Sequence, residues 1–207
     1  MDYQKIIFIT IVVVFVGYRI YRKKNRVNRQ HLIDTFTFPQ SISQKVIEKY
    51  PHLSDHQAAL VMDGLREYFH VINQAGKNTV SMPSQVVDVA WHEFILFTKQ
   101  YEHFCEKALG RFLHHTPAEA MSSPTVAQEG IKTAWNICCL RENITPEAPI
   151  RLPLLFALDA SLEIPDGFKY ALDCTVPGSG NYCATHIGSN SVTKNDPIDD
   201  FHSCGGD

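Results

Sequence analysis

Residues 84–115, SQVVDVAWHEFILFTKQYEHFCEKALGRFLHH, gather four of the chain's ten histidines beside Asp88, Cys105 and several glutamates. Imidazole, thiolate and carboxylate groups are the ones that ligate zinc or move protons, so the question is which of them can meet. Wound as a helix at about 100° per residue, Asp88 and His92 stand one turn apart on one face. They are close enough to share an ion, or for the carboxylate to orient the imidazole. His103 lies nearly on that face but about 16 Å further along the axis, too far to share a coordination sphere. Cys105 falls on the opposite side and reads as a small buried apolar residue. Trp91 reads as core. His114 and His115 follow Gly110, where the chain can reverse and bring an imidazole back. Asp88, His92 and one of His114 or His115 would then give three zinc ligands and an open position. The competing reading is a pair of surface loop histidines, His114 and His115, or a His92 that only hydrogen-bonds to Asp88 and a loop carbonyl. Glu93 points to another face. Leu96 stands where an H-E-x-x-H motif needs its second histidine, so the zinc-protease motif is absent.

A second set of ligand types lies near the C-terminus: Cys183, His186, His202 and Cys204, with Cys174 in reserve. They could close one tetrahedral zinc site, although the spacing matches no repeated C-x2-C finger. A flexible tail without metal is the competing reading. Cys138 and Cys139 are adjacent on a predicted helix and carry no evident chemistry. No P-loop, G-x-G-x-x-G or G-x-S-x-G occurs. Zinc is thus the one cofactor the residues suggest.

Helices must position these groups. Ser54 and Gln57 form a capping box for a helix that keeps its apolar residues on one face and ends at Gly76. Ser84 is the N-cap of the next, expected to run unbroken to about Leu109, with Gly110 as its stop. A further helix begins near Pro124, and a shorter apolar one covers about 152–163 before the turn at Pro165-Asp166-Gly167. The expected fold is all-α: a compact helical domain over 31–173 and an irregular polar tail over 174–207.

The N-terminal line carries a different expectation. Tyr3–Tyr21, YQKIIFITIVVVFVGYRIY, would span about 28 Å as a helix, although its unbroken apolar centre, Ile6–Val16, is shorter and includes Thr10. Only Lys5 precedes the run, and Arg19, Arg22, Lys23, Lys24, Arg26 and Arg29 follow, the reverse of a cleaved signal peptide. The reading is a single transmembrane helix over 1–21 and a basic juxtamembrane segment over 22–30. The positive-inside rule then puts the N-terminus outside and the remainder in the cytoplasm, with its cysteines reduced. Seven of the 19 Lys and Arg, but one of the 22 Asp and Glu, precede residue 30. The acidic body that remains lacks the basic face nucleic acid requires.

The blocks MPSQVVDVAWHEFILFTKQYEHFCEKALGRFLHHTP (82–117) and LPLLFALDASLEIPDGFKYALDC (152–174) resemble the glycine-rich domain-containing protein-like family. Val87, Asp88, Trp91, His92, Tyr101, Phe104 and Cys105 match its pattern. Phe94 departs from it, where many relatives carry a second histidine. The ending HSCGGD resembles a shortened version of the family's Gly-rich tail. The resemblance implies a domain identity and no reaction. The leading expectation is a membrane-anchored helical module that interacts with another protein or assembles at the membrane. A metal-dependent, hydrolase-like enzyme built on Asp88, His92 and a loop histidine is the alternative, and a zinc-binding tail a further one.

Overall fold

The computed structural model describes residues 3–115, 124–172, 182–184 and 187. Among the described residues, seven α-helices are joined in order: α1 (Tyr3–Thr35), α2 (Gln40–Lys49), α3 (Asp55–Ala75), α4 (Gln85–Leu96), α5 (Thr98–Phe104), α6 (Pro124–Arg141) and α7 (Leu154–Ser161). A π-helical turn, Cys105–Leu109, continues α5. Two-residue strands β1 (Tyr170–Ala171) and β2 (Tyr182–Cys183) pair in parallel, Tyr170 with Tyr182 and Ala171 with Cys183. The described residues are mostly helical, with this one short strand pair beside the helices.

The transmembrane part of the expected fold does not. Among the described residues, no helix is long and apolar enough to cross a membrane. The physical reason is the length of the apolar run: Ile6–Val16 rises about 16 Å as a helix, against about 30 Å of bilayer hydrocarbon. Gly17, Tyr18 and Arg19 interrupt the run, and the basic residues continue in the same unbroken helix. The single-pass location loses its support with the span. So does the assignment of an outer N-terminus and a cytoplasmic body, because the positive-inside rule orients only a helix that crosses.

α3 is the centre of the domain, in contact with α1, α2, α4, α6, α7 and the π-turn. Its capping box forms as expected, with Ser54 and Gln57 each bonding the other's backbone N–H. Gly64 sets how closely the layers approach. A Cβ there would stand 2.5 Å from Leu158 and 2.9 Å from Val87, so α4 and α7 press directly on the α3 backbone. Rings fill the other side, with centroids 4.6 Å apart for Phe36–Phe104, 4.7 Å for Phe69–Phe104 and 5.2 Å for Phe38–Phe94.

The C-terminal end of α1 joins this core. Ile33 is fully buried. Arg66 of α3 donates to the carbonyls of Ile33, Asp34 and Phe36, supplying donors that the end of a helix lacks. His70 of α3 meets the Asp34 carboxylate at 2.7 Å through Nε2. Arg141 of α6 grips Glu67 of α3 with Nε–Oε1 at 2.5 Å and Nη2–Oε2 at 2.8 Å.

The helix expected over 84–109 is broken at Phe97, whose φ of −79° and ψ of 56° leave the helical region. The sequence is apolar on most sides of that helix, and one straight rod cannot turn all of them to one core. The break swings the second half round. Val87, Trp91 and Phe94 before it, and Tyr101, Phe104 and Cys105 after it, are all buried together. Gly110 ends the segment as expected, with a left-handed φ of 72°.

Candidate metal centre

Ser84 caps α4, accepting from the Val87 N–H at 3.3 Å. A residue far along the chain completes that cap. Asp159 of α7 is buried and accepts from the Ser84 hydroxyl at 2.7 Å and from the N–H groups of Gln85 at 2.7 Å and Val86 at 3.2 Å. It also accepts from the Phe168 N–H at 2.8 Å. Burial pushes the Asp159 carboxyl above its ordinary value, against the pull of these donors. A carboxylate at the N-terminus of α4 complements the helix dipole there. The consequence is a fixed first turn, and Asp88 sits at its end.

One turn on, His92 Nδ1 lies 2.8 Å from the Asp88 carbonyl and 3.3 Å from carboxylate Oδ2. An Nδ1–H donated to Asp88 leaves Nε2 with a lone pair, as a metal ligand requires. The third group comes from the segment after Gly110. His115 Nε2 lies 3.2 Å from Asp88 Oδ1, and its ring centroid is 4.1 Å from that of His92 and 4.7 Å from Trp91. One candidate ligand atom from each of Asp88, His92 and His115 lies within 4.8 Å of the other two. Ligand atoms sharing a zinc ion at about 2 Å each stand about 3–4 Å apart, a spacing close to the one this cluster presents. Asp88 and His115 are largely covered, whereas the His92 side chain is 51% exposed and opens the cluster to solvent.

The segment carrying His115 is held by its own anchors. The Trp91 indole N–H donates to the Tyr101 hydroxyl at 3.1 Å, and that hydroxyl donates to the Leu113 carbonyl at 2.6 Å. Arg111 donates to the Gly76 carbonyl at 3.0 Å. Burial acts to raise the Asp88 carboxyl, but hydrogen bonds from His115 and His92 overcome it and hold the group below its ordinary value. The Asp88 bond in turn raises His92, against partial burial. Tyr68, buried nearby, is pushed up by burial and then by the Asp88 charge.

The structure thus separates the sequence-derived candidates. It brings together Asp88, His92 and His115. His114 turns outward and packs its ring 4.8 Å from Phe112. His103 is exposed on α5, and Cys105 is a buried free thiol whose pKa is raised by burial. Glu93 lines a separate shallow groove with Ser41, Lys45, Leu96 and Phe97. Of the C-terminal set, Cys183 is disulfide-bonded, which departs from the expectation of reduced thiols; Cys105, Cys138 and Cys139 are free and buried. Cys174, His186, His202 and Cys204 lie outside the described residues. Asp159 and Tyr101 escaped the sequence reading as positioning residues. Their partners are separated along the chain, so no local pattern marks them.

The resemblance to the glycine-rich domain-containing family is not upheld. Val87, Trp91, Tyr101, Phe104 and Cys105, which carried most of it, are core residues, and apolar positions at helix-packing spacing recur in unrelated helical folds. Neither the curated proteins nor the solved structures contain a match to the chain. A family model described as UCP032817-like matches residues 28–190, and the chain belongs to that family.

Proposed function

We propose that this protein binds a divalent transition metal of the zinc class through Asp88, His92 and His115. The observation that carries the reading is the convergence of the three candidate ligand atoms within 4.8 Å, from a helix and from a separately anchored segment. A set of two imidazoles and one carboxylate suits zinc, whereas calcium and magnesium favour all-oxygen sets. Three protein ligands leave a fourth tetrahedral position, which the exposure of His92 turns toward solvent. An ion in such a site lowers the pKa of a bound water toward neutrality, the chemistry that hydrolytic zinc sites use. Isothermal titration of the full chain with zinc tests the reading. One ion per chain should bind, with His92→Ala and His115→Ala each weakening binding at least tenfold and His114→Ala leaving it unchanged. Equal binding by the parent and the double variant of His92 and His115 would overturn it.

A further inference from the structure

The N-terminal half of α1 stands outside the packed domain. Its apolar side chains are exposed from Ile7 to Tyr21, including Phe8 at 68%, Val14 at 66% and Ile20 at 63%. Consecutive residues Ile11 to Val16 are all exposed, so the apolar surface runs round the helix rather than along one stripe. A single groove in a protein partner covers one stripe; a helix apolar all round needs an apolar medium. The residues that follow, Arg19, Arg22, Lys23, Lys24, Arg26 and Arg29, bring six positive charges with no acid among positions 19–29. A parallel bundle of copies would superimpose those charges, which repel. An anionic lipid leaflet instead supplies acyl chains for the apolar part and negative headgroups for the basic part.

We propose that residues 7–29 dock the protein on an anionic lipid surface, with the apolar segment in the facing leaflet and the basic segment among its headgroups. Attachment to one leaflet requires no crossing, and it is independent of the metal centre. Flotation of the full chain with vesicles tests it, comparing phosphatidylcholine mixed with phosphatidylserine against phosphatidylcholine alone. The chain should float with the anionic vesicles, more weakly as salt rises. Arg22→Glu, Lys23→Glu and Arg26→Glu together should lower partitioning on the order of a hundredfold or more. Ile11→Asp with Val14→Asp should abolish it, while circular dichroism shows the domain still folded, since these side chains touch nothing in the core. Equal flotation with both vesicle types, or no flotation with either, would overturn the proposal. So would a defined oligomer in the absence of lipid that the Ile11 and Val14 substitutions dissociate, because that result makes a second copy the occupant.

Discussion

Asp159→Asn tests how the fold holds the proposed metal site in place. The substitution is nearly isosteric, so it changes hydrogen bonding and charge without opening a cavity. Asp159 Oδ2 accepts from Gln85 N–H and Phe168 N–H, and Oδ1 from Ser84 Oγ and Val86 N–H. Whichever way the asparagine amide lies, its NH2 faces two donors, one of them able to rotate if it is on the Oδ1 side. Stranding one or two buried donors costs about 1–3 kcal/mol each. Loss of negative charge at the start of α4 costs a further ~0.3–1 kcal/mol. Relief of the buried charge, visible in the raised Asp159 pKa, offsets part of this. The net expectation is about 2–4 kcal/mol of destabilisation in urea titrations followed by circular dichroism, or a Tm roughly 5–15 °C lower. Asp88 lies one turn from this cap, so zinc affinity should fall as well. A loss below about 0.5 kcal/mol, within the range of an ordinary surface change, would refute the assignment of Asp159 as the anchor of α4.

Two further outcomes follow from the same geometry. Tyr101→Phe removes the hydroxyl between Trp91 and Leu113, which should lower stability by about 1–3 kcal/mol. It should also weaken zinc binding roughly ten- to a hundredfold, measured by calorimetry under conditions where the variant remains folded. Without metal, His70 and His92 should drive stability in opposite directions with pH. His92 is raised above its ordinary 6.5, so its contribution is complete below that value and is lost as pH rises through the raised one. His70 is lowered from 6.5 by burial and then by Arg141, against Asp34 and Glu67, so stability is lost as pH falls from 6.5 toward its lowered value. In chelator, His92→Gln should therefore lose more stability at about pH 5.5 than at about pH 8, and His70→Gln the reverse. The effect at half-exposed His92 should be about 0.2–1 kcal/mol. Equal losses at both pH values would contradict these assignments.

Local signals in the sequence were reliable where one turn of backbone decides the outcome. The Ser54–Gln57 capping box, the Ser84 cap, the Gly110 stop and the Asp88–His92 pair all depend on residues within a few positions of one another. The break at Phe97 was not legible. It is imposed by the need to bury two apolar faces in one core, which local helix propensity does not register. His114 and His115 were equivalent in sequence, and tertiary packing chose between them: Phe112 takes His114, while the Tyr101–Leu113 bond directs the following residues to Asp88. Hydrophobicity over Tyr3–Tyr21 overstated a span because it counted an apolar run that Gly17, Tyr18 and Arg19 cut short.

X-ray absorption at the zinc edge, on the full chain loaded with one equivalent of zinc, examines the proposed metal site most directly. The expected spectrum contains only nitrogen and oxygen neighbours at about 2.0–2.1 Å, with the outer scattering of two imidazoles, and one imidazole fewer in His115→Ala. Sulfur at about 2.3 Å, or a spectrum unchanged by His115→Ala, would place the ion elsewhere and contradict the assignment to Asp88, His92 and His115.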